Sequence, residues 1–281
     1  MPSIPYDASR TSLLHPAGRP TLLSKGCAKQ LPPDAIFAEC ARLAYLRFES
    51  DPAQRQQLSD ALGSLDATAL EFFNHPPTDT QAYGVVLPDI GTLLAFRGTE
   101  PDRLIDLKTD AEAAPTAWSD GSRVHTGFAR AFAGVRPAIE AWLAQRAASR
   151  PIVTGHSLGA ALATLAASVW NCTRLTTIGS PRVGDAKFAG TIRAPVFRYV
   201  DCCDLVTRVP PDGAWYEHVG ERLYIDHNGQ LQPGASDADV EDDQNAAREN
   251  YLLHMAFAPG NNPARDLSDH APINYLRALF P

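Results

Sequence analysis

The stretch Ile152-Val153-Thr154-Gly155-His156-Ser157-Leu158-Gly159-Ala160 is a short apolar run that breaks into Gly-His-Ser-Leu-Gly and continues as a small-residue segment. A strand that turns sharply into a helix and leaves one serine hydroxyl at the tip has this form, the nucleophile elbow. Gly155 and Gly159 stand two residues either side of Ser157, where a β-carbon would crowd so tight a turn. Ala160, Ala161, Ala163, Ala166 and Ala167 then give a helix slim enough to lie close on a sheet. Three fixed residue types at about 7% each match by chance about 0.1 times in a chain of this length. The pattern therefore gains its weight from the strand before it and the helix after it.

Around the elbow the chain alternates between the two periodicities. Helical spacing marks 33–48, with Ile36, Phe37, Cys40, Leu43, Ala44 and Phe48 on one face, and a second helix is expected over 59–73. Strands are expected at 82–87 and 92–96 around the turn Pro88-Asp89-Ile90-Gly91. A helix follows over 127–148, the elbow unit spans 151–170, and apolar strands follow at 175–178 and 196–200. Leu223-Tyr224-Ile225-Asp226 and Gln230-Leu231 form a small hairpin about His227-Asn228-Gly229, and helices cover 240–257 and 271–280. Strands alternating with helices predict an α/β fold, a sheet covered on both faces. Residues 1–30, rich in Pro, Ser and Gly, read as an extended arm, and 1–281 as one domain with an insertion at about 228–262.

Composition limits the partners. With 44% hydrophobic residues, 20% charged residues and a net charge of -7, the chain reads as a soluble globule. That charge argues against nucleic acid and against electrostatic docking on anionic lipid. Cys27, Cys40, Cys172, Cys202 and Cys203 are odd in number and lack a framework or zinc spacing, so free and mostly buried thiols are expected. No run is long enough to span a membrane. The first residues lack the basic and apolar regions of a secretory signal, so the expectation is a cytoplasmic protein, with secretion the alternative if a leader has been removed.

A serine hydroxyl becomes nucleophilic when a histidine takes its proton and an acid orients that histidine. His218, His227, His254 and His270 all follow Ser157. His270 is the best placed, because it stands just before the last helix, where Ser268-Asp269 resembles a cap and a loop is able to reach back over the strand ends. His156 is held by the elbow and expected to point elsewhere. For the acid, Asp201 and Asp204 both follow the strand 196–200, and sequence geometry leaves the choice open. The oxyanion of the tetrahedral intermediate needs backbone N–H donors. Leu158 supplies one, and Thr99, in the strand exit Phe96-Arg97-Gly98-Thr99, is the candidate for the other.

Five motifs in order carry a resemblance. Ala95-Phe96-Arg97-Gly98-Thr99, Val124-His125-Thr126-Gly127-Phe128, Gly155-His156-Ser157-Leu158-Gly159-Ala160, Gly179-Ser180-Pro181-Arg182-Val183-Gly184-Asp185 and Asp204-Leu205-Val206 before Pro210-Pro211 resemble the class 3 (fungal-type) triacylglycerol lipases. Asp269-His270 stands at the family's late position, and the likeness covers about residues 35–280. The resemblance implies an α/β-hydrolase, a central mostly parallel sheet with helices on both faces. It implies Ser157 as nucleophile, Asp204 as acid, His270 as base, and Thr99 and Leu158 as oxyanion donors. Tyr216-Glu217-His218-Val219-Gly220 resembles a family segment entering a strand, which makes His218 structural, as it makes His125.

The reaction so implied is hydrolysis of acylglycerol esters through an acyl-enzyme, with no cofactor and no metal. A phospholipase A1, a short-chain esterase or an acyltransferase shares the same triad, and a non-catalytic binding protein of this fold is the remaining rival. Two departures stand out. Where the family carries Asp-Trp-x-x-Asp in a lid, this chain has Asp106-Leu107-Lys108-Thr109-Asp110. Leu104, Ile105, Leu107 and Trp118 are the candidate apolar residues of a lid over about 100–120, able to touch a lipid interface transiently. The acidic run 237–243 lacks the glycine of a calcium loop and is expected to be a solvated loop.

Overall fold

The computed structural model describes residues 4–98, 115–119, 121–146, 150–211 and 215–280. Its helices are α1 (Arg10–Leu14), α2 (Pro33–Leu43), α3 (Pro52–Gly63), α4 (Thr126–Ala144), α5 (Leu158–Val169), α6 (Ala186–Ala189), α7 (Asp237–His254), α8 (Arg265–Ser268) and α9 (Pro272–Leu279). Its strands are β1 (Thr68–His75), β2 (Thr80–Leu87), β3 (Gly91–Phe96), β4 (Pro115–Ala117), β5 (Arg123–His125), β6 (Ile152–His156), β7 (Arg174–Ile178), β8 (Val196–Asp201), β9 (Arg222–Ile225) and β10 (Leu231–Gln232).

Eight of these strands form one sheet in the order β1-β2-β3-β6-β7-β8-β9-β10, while β4 and β5 pair separately. From β3 through β6, β7 and β8 to β9 the pairing is parallel, and β1, β2 and β10 run antiparallel at the margins. The period of two in the strands divides the core. Leu93 and Ala95 of β3 face a layer made by α2, α3 and α9, with Phe37, Leu58 and Tyr275 in it. Leu94 and Phe96 face the other layer, where Phe132, Ile139 and Trp142 of α4 meet Leu162 and Leu165 of α5. This is the α/β-hydrolase arrangement, with both faces of a mostly parallel sheet covered.

Three segments differ from expectation. The helix read over 59–73 begins earlier, at Asp51, whose side chain accepts from the N–H groups of Ala53 and Gln54, and α3 ends at Gly63. Residues 68–75 are strand β1. The adjacent aromatics show why: Phe72 stacks on Phe48 at 4.9 Å while Phe73 meets Trp142 edge-on at 5.9 Å across the other face. The arm is not simply extended. It carries α1 and the short turns Pro16–Gly18 and Cys27–Lys29, and it buries Leu13, Leu23 and Cys27. The run 237–243 is not a loop but the first turns of α7. Ser236 and Asp239 cap each other's backbone N–H, and Asp237 and Asp239 lie at the positive end of the helix dipole.

Candidate active site

At the end of β6 the backbone of Ser157 takes φ 58 and ψ −129, and α5 begins at the next residue. A β-carbon on Gly155 would lie 2.2 Å from the Gly159 carbonyl, and one on Gly159 would lie 2.2 Å from the Phe96 carbonyl. The glycines thus let the elbow close and let α5 approach β3. The strained serine is held by its N–H to the Ile178 carbonyl at 3.2 Å, and its own carbonyl accepts from Ala160. The Leu158 N–H opens α5 and, among the described residues, makes no hydrogen bond.

The late loop before α9 brings His270 over this turn. Its Nε2 lies 2.9 Å from Ser157 Oγ, and its Nδ1 lies 2.9 Å from each oxygen of Asp204. A carboxylate accepts, so Nδ1 carries the proton and Nε2 is free to accept from the serine hydroxyl. All three side chains are buried. Asp204 also accepts from the Val206 N–H at 2.8 Å and from the Tyr275 hydroxyl at 2.5 Å. Burial, then the Asp204 charge, pushes the Tyr275 phenol well above its ordinary pKa, which keeps it a donor.

Asp201, the other acid left open by the sequence, has no hydrogen bond to His270. It is buried beside Asp269, and burial followed by the Asp269 charge pushes its carboxyl well above the usual range. Asp269 accepts from Tyr6, from Arg265 and from the Cys203 N–H. Cys202, Cys203 and Asp269 form the one cluster of metal-type ligands among the described residues, but the Asp269 oxygens are already engaged. The five cysteines are free and buried, as read from their spacing.

The remaining histidines lie away from Ser157 Oγ. His227 pairs with Asp243, and His254 ends α7. His218 donates from Nε2 to the Thr207 carbonyl at 2.9 Å, and its Nδ1 is buried without a partner. His125 caps α4, accepting from Gly127 and Phe128, and stacks on Phe128 at 4.2 Å. His156 was expected to point elsewhere. Its ring in fact lies against that of His270, with centroids 4.5 Å apart, and its Nε2 donates to the His270 carbonyl at 2.8 Å while Nδ1 accepts from Tyr45 at 2.7 Å. Burial, then the neighbouring His270, lowers its pKa well below the ordinary value, so it supports the loop as a neutral group. The sequence reading missed this support, along with Tyr275 and Tyr45. The five-residue step from His270 to Tyr275, inside the last helix, was the available signal for Tyr275.

Thr99, Leu104, Ile105 and Leu107 lie outside the described residues. Gly98 ends the described part of that segment, and a β-carbon there would lie 2.6 Å from the His156 carbonyl. The β3 exit therefore runs directly beside the elbow. Trp118, a candidate lid residue, is half-buried and docked in the body. Its Nε1 donates to Ser168 at 3.0 Å, and its ring meets Phe132 and Phe188 at 6.2 and 6.5 Å.

Residues 93–214 match the family described as Lipase (class 3). The chain is 33% identical over 186 residues to a secreted mono- and diacylglycerol lipase A of Penicillium cyclopium; the match covers 61% of this chain and 60% of that relative. The chain thus spans well under the full length of this relative. Among solved structures, lipase II from Rhizopus niveus shares 26% identity with a TM-score of 0.59, covering 70% of this chain and 81% of that one. A lipase from Rhizopus microsporus var. chinensis shares 26% identity with a TM-score of 0.58, covering 80% and 84%. The Penicillium relative is named as secreted, and the expectation of a cytoplasmic protein finds no support among these relatives. Family pattern, relatives and sheet topology together make the chain similar to the class 3, fungal-type lipases, on the α/β-hydrolase fold.

Proposed function

We propose that the chain is a serine ester hydrolase that cleaves acylglycerols. The observation that carries this reading is His270, hydrogen-bonded through one ring nitrogen to Ser157 Oγ and through the other to Asp204. Ser157 Oγ attacks the ester carbonyl carbon as its proton passes to His270 Nε2. The Asp204 carboxylate, fixed by Tyr275 and the Val206 N–H, steadies the imidazolium that forms. The Leu158 N–H and Thr99 are assigned to the oxyanion, because Gly98 runs beside the elbow. His270 then gives its proton to the leaving alcohol, and water attacks the acyl-enzyme with His270 as base.

Acylglycerol as substrate rests on the Penicillium relative, and the same relative favours secretion. We place residues 1–281 in one domain and assign lipid contact to the approach to Ser157. The test is turnover of a series of p-nitrophenyl esters beside emulsified mono-, di- and triacylglycerol and phospholipid. Ser157→Ala is expected to lower kcat by at least about 10⁴-fold, with His270→Ala close behind. Undiminished turnover in Ser157→Ala overturns the reading. Transfer to added alcohol outpacing hydrolysis, or preference for phospholipid, moves it to an acyltransferase or a phospholipase A1.

A further inference from the structure

Away from Ser157 and His270, a cavity of about 540 Å³ lies between the β8–β9 face of the sheet, helix α7 and the loop that follows Asp204. That volume is in the range of small-molecule sites. Its wall is unusually cationic: Arg182, Arg198, Arg208, Arg222 and Arg248 all line it, together with His218. Five guanidinium groups around one cavity repel one another unless anions separate them.

The protein supplies part of that compensation. Arg222 pairs with Asp237 at 2.9 Å, although Asp237 is almost fully solvent-exposed and the pair is correspondingly weak. Arg248 pairs with Asp266 at 2.9 Å. Arg182 donates to the carbonyls of Arg208 and Pro210. Arg208 meets the neutral amide of Gln244.

Arg198 is different. It is 8% exposed, and among the described residues its one hydrogen bond runs from Nε to the Gly220 carbonyl at 3.2 Å, with no partner there for its terminal nitrogens. Among the described residues, neither Arg198 nor Arg208 has a carboxylate within ion-pair distance, and Glu241 is the lining carboxylate that remains unpaired. A buried guanidinium without a counter-charge is costly, and burial, then Arg222 and Arg182, draws the Arg198 pKa down to about 10. A second orphan lies on the same wall, the buried Nδ1 of His218.

We propose that this cavity binds a phosphate-class dianion carried on a small polyol, with Arg198 and Arg208 as its principal anchors. Guanidinium forks match phosphate oxygens two at a time, so one phosphate dianion can engage both Arg198 and Arg208. The neighbouring Thr207, Gln244 and Asn245 offer hydroxyl and amide groups for the polyol. Thr207 also donates to the Asp204 carbonyl at 2.9 Å, so an occupant grips the back of the loop that carries Asp204.

The test is calorimetric titration of the full chain with inorganic phosphate, glycerol phosphate, and phosphatidylcholine vesicles with and without phosphatidic acid. Saturable binding is expected, tighter for glycerol phosphate than for inorganic phosphate. Arg198→Gln and Arg208→Gln are each expected to weaken it at least about tenfold, while ligand-free turnover of a p-nitrophenyl ester is unchanged in both. Competition by phosphatidic acid vesicles identifies a lipid headgroup, and its absence a soluble phosphate; either result supports the site. No saturable binding up to about 10 mM of any phosphate probe, or binding as tight as wild type in both variants, overturns it. Because the readout is binding, a negative result leaves the hydrolase reading intact, and loss of Ser157-dependent turnover leaves this site intact.

Discussion

Asp201 and Asp204 stand three residues apart at the same strand end, yet their surroundings differ completely. Cys202, at φ 23, turns the chain so that Asp204 reaches His270 while Asp201 stays beside Asp269. Replacing Asp204 by Asn leaves the volume but removes the charge that fixes the tautomer of His270. Asp204→Asn is therefore expected to lower kcat by about 10³–10⁴-fold, and Asp201→Asn by less than about tenfold. Steady-state kinetics on a soluble ester decides, and a larger loss in Asp201→Asn reverses the assignment. Ser157 was legible in sequence because its flanking glycines are a local requirement of the turn. Local spacing left the acid open between Asp201 and Asp204, because a one-residue reversal of the backbone leaves no periodic mark, and only the resemblance pointed to Asp204. Tyr45 and His156 are 111 residues apart, and their hydrogen bond exists only once α2 and β6 are packed.

Among the elements, strands flanked by turn residues were read closely, as β2 and β3 around Asp89 and Gly91 show. The segment 59–73 was misread because two phenylalanines in succession suit a helix face as well as the two sides of an edge strand. The acidic start of α7 was missed because the cap at Ser236 outweighs a run of carboxylates. The loop between β8 and β9 carries a titrating element in His218. Burial, then Arg198 and Arg182, draws its pKa from 6.5 to about 3. The folded chain keeps this ring neutral as pH falls, while the unfolded chain takes up a proton below about 6.5, so its contribution to stability is present above that pH and is lost progressively toward about 3. The slope reaches up to about 1.4 kcal/mol per pH unit. Asn does not titrate, so the wild type is expected to lose stability relative to His218→Asn between about pH 7.5 and 4.5. Parallel urea midpoints for the two proteins across that range contradict the claim.

In the whole molecule the N-terminal arm is tied to the body by charges with no access to water. Glu39 and Arg42 of α2 are both fully buried and paired at 2.7 Å. Glu39 accepts from the Thr21 hydroxyl and the Leu22 N–H, and Arg42 donates to the carbonyls of Pro16, Arg19 and Pro20. Further along the arm, Tyr6 donates to Asp269, next to His270. Breaking the pair leaves an uncompensated buried guanidinium, so Glu39→Ala is expected to cost about 3–5 kcal/mol. In a chain of this size that lowers Tm by roughly 10 °C. A calorimetric shift below about 2 °C shows instead that the arm is held by its apolar contacts.

The sequence by itself determined the elbow at Ser157, the alternation of strands and helices, and the order of the motifs, because each depends on neighbours within a few residues. Only the tertiary structure decided that His156 supports the loop of His270, that Tyr275 fixes the acid, and that the arm packs through a buried ion pair. It also decided that five arginines converge on one cavity. Those outcomes join residues tens to hundreds of positions apart, and the sheet order that brings them together is written in no local spacing.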